Sequence, residues 1–143
     1  MNERYWEDVQ IGEALRPETF HLSVYRLVMA AGATRDFNSI HHNSEYARQS
    51  GAEDMYANNV FLQGMWEKTV RAYIRPAGTI RRLKGFKMKT FNTAGETVTT
   101  NGTVVNKWIE EGTAFVEIKL WTENADGITV GPGTMIVTLP LKN

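Results

Sequence analysis

Hydrophobic residues recur with a helical period in the first half of the chain and with a strand period in the second half. The longest helical pattern begins at Asn58 and ends at Pro76, with apolar residues over most of the helix surface. Its polar residues form one four-residue stripe, made of Gln63, Glu67, Arg71 and Arg75. This pattern predicts a helix that is buried on most sides and exposes only a narrow stripe, as a helix wrapped by a sheet would.

Shorter elements are predicted before this helix from capping residues and turn residues. They are a short strand at residues 19–22, a helix between the N-cap Ser23 and Gly32, and a second helix from Asn43 or Ser44 to Gly51.

After Pro76 the hydrophobic period changes to two, which predicts strands. The clearest strand runs from Thr113 to Trp121, and its apolar face consists of Ala114, Val116, Ile118 and Leu120. Further strands are predicted at Arg81 to Phe91, Thr97 to Val105 and Thr134 to Leu139. Turn residues at 93–95, 110–112 and 125–127 separate them, which predicts an antiparallel meander.

Short helices, one nearly apolar helix and consecutive strands predict an α+β fold in which a curved antiparallel sheet wraps the long helix. The chain has 143 residues, of which 42% are hydrophobic, so we expect one domain over residues 1–143. Phe115 and Trp121 interrupt the polar face of their strand. They therefore predict sheet-to-sheet pairing in a dimer, unless they are isolated surface residues.

Charge and composition exclude several functions. Sixteen Lys and Arg residues balance sixteen Asp and Glu residues, so no net charge attracts nucleic acid or an anionic membrane. The absence of cysteine excludes disulfides and thiol catalysis and suits a reducing cytoplasm. No segment approaches the roughly 20 apolar residues of a membrane span. We expect a soluble, cytoplasmic protein.

Acidic, amide and imidazole side chains lie close together in the segment TRDFNSIHH, residues 34–42. Asp36 and His41 could hold and activate a water molecule together, because imidazole titrates near neutral pH. The alternative is a structural loop, since Asp and Asn are common loop formers and His42 could cap the following helix. A metal site is not expected, because adjacent histidines point in different directions and no third ligand is close in sequence.

The segment DFNSIHHNSEYA, Asp36 to Ala47, resembles the hydratase signature of the MaoC-like, (R)-specific enoyl-CoA hydratases. The matching residues are Asp36, Asn38, Ile40, His41 and Ala47. The opening YWEDVQIGE, residues 5–13, also resembles that family. The likeness is closest to the catalytic subunits of actinobacterial steroid side-chain enoyl-CoA hydratases, through ATRDF, HH and IRR at residues 33–37, 41–42 and 80–82.

This resemblance implies a hot-dog fold that pairs into a dimer with a continuous sheet. It implies hydration of a trans-2-enoyl-CoA to the (R)-3-hydroxyacyl-CoA, with the coenzyme A thioester as substrate and without a metal or redox cofactor. In that reaction Asp36 and His41 would activate the water, and Asn38 would orient the pair. Steroid-type relatives work beside a dissimilar subunit, so the resemblance also allows a heteromer with a second hot-dog chain.

Two single residues and one pair of residues depart from the family pattern. Ser39 replaces the signature proline, Arg35 stands where the common form has glycine, and Asn58-Asn59 replaces a His-Gly pair at the start of the long helix. In the family the N–H of that glycine stabilises negative charge on the thioester oxygen. A helix N-terminus offers free N–H groups whatever its side chains. We therefore assign this role to the backbone of Asn59.

Five of the nine residues from Arg81 to Lys89 are basic. We predict that Arg81 and Arg82 bind the phosphates of coenzyme A, whereas the lysines suit a solvated edge strand. Two further functions are possible on the same fold. A thioesterase usually places a carboxylate on the central helix, where Glu67 lies on the polar stripe, and a non-catalytic subunit would bind acyl-CoA without turnover. The acyl group cannot be read from these residues.

Overall fold

The computed structural model describes residues 3–142; residues 1, 2 and 143, at the ends of the predicted domain, lie outside the described residues. Short 3-10 turns occupy Trp6–Asp8 and Ser39–His41. The strands and α-helices of the described residues follow in the order β1 (Glu18–His21), α1 (Val24–Ala33), α2 (Ser44–Gln49), α3 (Asn59–Ile74), β2 (Thr79–Lys84), β3 (Thr97–Glu110), β4 (Thr113–Asn124) and β5 (Gly127–Thr138). None of these helices is both long enough and apolar enough to cross a membrane.

The strands form one antiparallel sheet in the order β1-β3-β4-β5-β2, and this sheet curls around α3. Trp66, in the middle of α3, is fully buried. Its indole N–H donates a 2.8 Å hydrogen bond to the hydroxyl of Thr122 on β4, which fixes the helix against the sheet. The apolar face predicted for β4 is buried as well. The predicted α+β fold, with a long helix wrapped by a curved antiparallel sheet, is confirmed.

The strand predicted from Arg81 to Phe91 is wrong in its second half. β2 ends at Lys84, because Gly85 takes a φ of 66°, which turns the chain out of the sheet. The residues that follow form a loop, in which the N–H of Lys89 donates to the carbonyl of Thr129 on β5.

The last strand begins earlier than the predicted Thr134, because the segment GPG at residues 131–133 continues the strand instead of preceding it. At Gly131 a Cβ atom would lie 2.9 Å from the Trp66 ring, so only glycine allows this close approach.

The exposed side of α3 is wider than predicted. Each turn exposes two neighbouring positions instead of one, because the sheet covers only the opposite side of the helix. The first exposed row contains the predicted polar residues Gln63, Glu67 and Arg71. The second row contains Val60, Gly64, Lys68 and Ala72. Three members of this second row are small or apolar, although they face away from the core.

The two aromatic residues on the outer face of β4 pack against residues of their own chain. Phe115 stacks on Trp108, its cross-strand partner on β3, with 5.2 Å between ring centroids. The indole N–H of Trp121 donates to Glu123 over 3.2 Å. These contacts half-bury both rings, so the predicted dimer does not follow from them. It stays a prediction, and the outer edge of β2 is open to a second chain.

Candidate active site

Asp36 and His41 face each other across the loop that follows α1. A carboxylate oxygen of Asp36 lies 3.2 Å from Nε2 of His41. The His41 side chain is 9% exposed, whereas that of Asp36 is 38% exposed. The imidazole is therefore held inside the protein, and solvent or a ligand reaches the pair mainly from the side of the carboxylate.

The backbone carbonyl of Tyr56 orients the His41 ring, because Nδ1 lies 2.8 Å from this oxygen. A carbonyl oxygen can only accept a hydrogen bond, so Nδ1 must carry the hydrogen. The other nitrogen, Nε2, is then the one that faces the Asp36 carboxylate. Sequence reasoning missed Tyr56, since a residue that acts through its carbonyl leaves no side-chain signal.

Asn38 shapes the 3-10 turn that carries His41. Its side-chain oxygen accepts a 3.2 Å hydrogen bond from the N–H of Ile40, and its carbonyl accepts one from the N–H of His41. In the part of the chain that the structure describes, the Asn38 side chain makes no hydrogen bond to the Asp36 or His41 side chains. These bonds hold the turn that carries His41, and the predicted orienting role of Asn38 stays a prediction.

Arg35 closes α1 and directs the chain into Asp36. It has a φ of 57°, in the left-handed region that glycine prefers. The N–H of Arg35 donates to the carbonyl of Gly32, and that of Asp36 donates to Ala31. This pair of bonds forms a Schellman motif, in which a left-handed residue follows the last turn of a helix. The geometry explains why glycine suits this position in the common form of the signature.

The residues just before α3 are hydrogen-bonded both to the turn that carries His41 and to the end of α1. The N–H of Tyr56 donates to the carbonyl of Ile40 over 3.2 Å. The amide of Asn58 donates to the Thr34 hydroxyl over 2.7 Å, and its oxygen caps α3 by accepting from the N–H of Phe61. Sequence reasoning identified Asn58 as an N-cap but gave no indication of its bond to Thr34.

The first residues of α3 present free backbone donors. Asn59 begins the helix. Among the hydrogen bonds of residues 3–142, the N–H groups of Asn59 and Val60 have no acceptor, as is usual for the first turn of a helix. The helix dipole favours negative charge here. Because Asn59 follows the segment that contacts His41, the start of α3 suits the predicted role of Asn59, which stays a prediction.

Two other predicted residues lie apart from this pair. Arg81 and Arg82 are exposed on the edge strand β2. A bulge between Ile80 and Arg82 makes both arginines face outward. Neither forms an ion pair with another described residue. Their predicted role toward coenzyme A stays a prediction.

His42 does not cap α2. Asn43 is the cap, because its side-chain oxygen accepts from the N–H of Tyr46 over 2.9 Å. Nε2 of His42 lies 3.2 Å from the carbonyl of Phe37. Within residues 3–142, no three histidine or acidic side chains are arranged to hold a metal ion.

The chain is similar in structure to hydratases and dehydratases over nearly its whole length. A chain of the ChsH1-ChsH2 complex from Mycobacterium tuberculosis is 25% identical, with a TM-score of 0.82 over 91% of this chain and 98% of that one. The R-hydratase PhaJ1 from Pseudomonas aeruginosa is 14% identical, with a TM-score of 0.85 over 96% and 86% of the two chains. A MaoC-like dehydratase from Rhodospirillum rubrum is 16% identical, with a TM-score of 0.84 over 98% and 99%. Comparison with protein-family models and with curated proteins finds no match.

Proposed function

We propose that this chain, whose fold is that of the MaoC-like hot-dog hydratases and dehydratases, hydrates a trans-2-enoyl-CoA to the (R)-3-hydroxyacyl-CoA. The observation that carries the proposal is the Asp36–His41 pair, with 3.2 Å between carboxylate and imidazole and with Nδ1 held by Tyr56. The hydratase and dehydratase names of the similar structures support this class of reaction. The reaction is reversible, so the same site would also dehydrate the product.

The mechanism uses the pair as an acid and a base. Asp36 and Nε2 of His41 bind the water, and one of them takes a proton as the water oxygen attacks the β-carbon. The electron pair of the C=C bond moves toward the thioester oxygen, where the N–H of Asn59 would stabilise the negative charge. The pair then returns a proton to the α-carbon on the same face. Hydration is redox-neutral, so the proposal includes no redox cofactor, and it assigns the activation of water to Asp36 and His41 and not to a metal.

Coenzyme A is the proposed carrier of the acyl group. Guanidinium groups bind phosphate oxygens through two parallel hydrogen bonds. Arg81 and Arg82 are exposed, outward-facing and without an acidic partner among the described residues. We therefore assign the phosphates of coenzyme A to these two arginines.

The chain is proposed to work in the cytoplasm as a homodimer or beside a second hot-dog subunit. A chain of a two-protein complex is among the similar structures, and β2 has an open strand edge. We propose that the substrate of such an assembly carries a steroid side chain or another bulky acyl group.

A thioesterase is the second candidate on this fold. The carboxylate on the central helix, Glu67, is exposed and pairs with Arg71 at 3.6 Å. It lies on the solvent side of α3, whereas the Asp36–His41 pair lies at the start of the helix. This placement favours the hydratase.

The experiment that tests the proposal measures the loss of conjugated enoyl-thioester absorbance with trans-2-enoyl-CoAs of short, long and sterol-like acyl groups. Asp36→Asn and His41→Ala should each lower kcat/KM by about a hundredfold or more, because acid–base groups contribute about 10²–10⁴-fold. Asp126→Asn, in the exposed turn between β4 and β5, is the matched control and should keep full activity.

The other outcomes identify the alternatives. Near-normal rates in both Asp36→Asn and His41→Ala would contradict the assignment of the pair. Release of free thiol in step with the absorbance loss would show a thioesterase, because hydrolysis of the thioester also removes the conjugated chromophore, whereas hydration releases no thiol. Binding of acyl-CoA without either signal would show a non-catalytic subunit.

A further inference from the structure

The ring of Tyr56 contacts two other rings, those of His41 and Phe91. The centroids of Tyr56 and His41 are 5.3 Å apart, and the two rings meet at 86°, edge to face. The centroids of Tyr56 and Phe91 are 4.2 Å apart, and these rings are stacked at 21°. Stacked and edge-to-face contacts are both favourable for aromatic rings. A row of three rings therefore leads from Phe91 to the predicted acid–base histidine.

Tyr56 holds His41 through its backbone as well as through its ring. Its carbonyl lies 2.8 Å from Nδ1 of His41. Its N–H donates a 3.2 Å hydrogen bond to the carbonyl of Ile40, the residue before His41. Because Nε2 of the same imidazole lies 3.2 Å from the Asp36 carboxylate, a shift of Tyr56 would also change the geometry of the Asp36–His41 pair.

The segment from Phe91 to Ala94 holds Tyr56 in turn. The carbonyl of Asn92 accepts a 2.9 Å hydrogen bond from the N–H of Ala57, and the N–H of Ala94 donates to the carbonyl of Met55 over 2.9 Å. These bonds fix the backbone on both sides of Tyr56. The phenol hydroxyl of Tyr56 forms no hydrogen bond with another residue of 3–142. The orientation of the ring therefore depends on packing, to which Phe91 contributes a stacked contact.

Phe91 contributes little to the hydrophobic core. It is 43% exposed and lies outside the cluster of core residues, so its burial adds less to stability than that of a core aromatic residue. Within residues 3–142, its aromatic contact is with Tyr56 alone. Tyr56 is only 9% exposed. The position of the Phe91 ring is thus better explained by what it does to Tyr56 than by core packing.

We propose that Phe91 is a positioning residue for His41 and that it acts through the ring of Tyr56. This inference rests on the proposed function, in which Nε2 must face both Asp36 and the water. The hydrogen bond at one imidazole nitrogen determines which nitrogen carries the hydrogen. Nδ1 keeps the hydrogen only while the Tyr56 carbonyl stays aligned with it. The stack limits the movement of Tyr56, and a displacement of about 1 Å in a catalytic site can lower the rate about a hundredfold.

The test combines ¹⁵N NMR of the histidine-labelled full chain with kinetics on a trans-2-enoyl-CoA. The NMR spectrum shows which nitrogen of neutral His41 carries the hydrogen, and it requires no turnover. The chain has three histidines, so the signals lost in His41→Ala identify this ring. The unaltered protein should show the Nδ1–H form, whereas Phe91→Ala should show a mixture with the Nε2–H form. Phe91→Ala should also lower kcat by about tenfold and leave KM nearly unchanged.

Three further variants separate positioning from a general loss of packing. Phe91→Tyr keeps an aromatic ring and should restore the Nδ1–H form. Tyr56→Leu keeps the carbonyl but removes the ring, so it should reproduce the effect of Phe91→Ala. The double variant should be no worse than Tyr56→Leu, because both substitutions remove the same contact. Ile128→Ala is the matched control: Ile128 lines the same cavity as Phe91 and is 38% exposed, but it is no part of the stack, so both readouts should stay unchanged.

Three outcomes would overturn the inference. The first is a pure Nδ1–H form in Phe91→Ala, and the second is the same mixture of forms in Ile128→Ala. The third is a higher KM in Phe91→Ala with an unchanged NMR spectrum, which would assign Phe91 to substrate binding. The proposed function fails separately: a mixture of forms in Phe91→Ala, together with no hydration of any enoyl-CoA by the unaltered protein, would sink the hydratase and keep the positioning of His41 by Phe91.

Discussion

The side-chain amide of Asn58 donates a 2.7 Å hydrogen bond to the hydroxyl of Thr34, which ties the start of α3 to the end of α1. The Thr34 hydroxyl donates a hydrogen bond in turn to the carbonyl of Ala30 over 2.7 Å. Asn58 is only 3% exposed. One end of this bond lies next to Asn59 and the other lies two residues before Asp36, so it helps to set the spacing between the predicted oxyanion donor and the predicted acid–base pair, together with the bonds of Tyr56 to Ile40 and His41.

Replacing Thr34 by valine should destabilise the protein and slow hydration. The valine keeps the shape of threonine but leaves the buried Asn58 amide without an acceptor, which costs roughly 1–3 kcal/mol. Urea unfolding would measure the loss of stability, and kcat/KM for an enoyl-CoA would measure the effect on the site. Thr34→Ser keeps the hydroxyl and should retain both. An unfolding midpoint for Thr34→Val equal to that of the unaltered protein would contradict the importance of this bond.

Arg35→Gly should stabilise the protein. Arg35 has a φ of 57°, and a left-handed conformation costs a non-glycine residue roughly 1–2 kcal/mol. Part of this gain is lost to the greater entropy of glycine in the unfolded chain, so we expect a net increase of roughly 0.5–1 kcal/mol in the free energy of unfolding.

The control is Arg71→Gly in the interior of α3. Glycine should lower stability there by about 1 kcal/mol, because the backbone is helical. If both substitutions lowered stability equally, the left-handed backbone at Arg35 would not be a source of strain.

The sequence was a good guide where local patterns decide the structure. The apolar period and the Asn58 cap placed the start of α3 correctly, and the helix ends at Ile74, shortly before Pro76. The turn residues at 110–112 predicted the β3–β4 hairpin, where Glu111 and Gly112 both take positive φ. The proximity of Asp36 and His41 could also be predicted, because both residues lie in one short segment of the chain.

Long-range packing explains what the sequence could not indicate. Gly85 ends β2 although basic residues continue beyond it. The second exposed row on α3 depends on how much of the helix the sheet covers, which residues of α3 alone do not indicate. Tyr56 contributes a carbonyl from a segment 15 residues away from His41, and no side-chain pattern marks such a contact.

Tyr73 should make the stability of the protein fall at high pH. Burial, and then a hydrogen bond to Glu13, raises the pKa of Tyr73 above its ordinary value of 10.0. In the unfolded chain this phenol loses its proton near pH 10, whereas the folded protein keeps it. The unfolded state therefore binds fewer protons above this pH, and the free energy of unfolding decreases as pH rises.

The stabilisation from Tyr73 is complete below about pH 10 and is lost as the pH rises toward the higher pKa of the folded state. Tyr73→Phe removes the titrating group, so its Tm should decline less steeply than that of the unaltered protein in the alkaline range. Thermal unfolding from pH 8 to pH 11 would show the difference. Parallel Tm curves for the two proteins would refute a contribution from Tyr73.

Arg81 and Arg82 should contribute to the binding of the nucleotide part of the substrate and not to the hydration step. Replacing both by glutamine removes two cations that lack acidic partners among the described residues. Hydrogen bonds to charged groups contribute about 1.5–3 kcal/mol, with less expected at an exposed site. The double variant should therefore raise the KM of an enoyl-CoA by roughly tenfold and leave kcat nearly unchanged.

A substrate without phosphates separates this effect from damage to the fold. The matching N-acetylcysteamine thioester carries the same enoyl group but lacks the nucleotide, so the double variant and the unaltered protein should hydrate it equally. Lys84→Gln, on the same strand, is the matched control and should leave both substrates unaffected. If the double variant lost activity equally toward both thioesters, the arginines would support the structure of β2 and not the binding of coenzyme A.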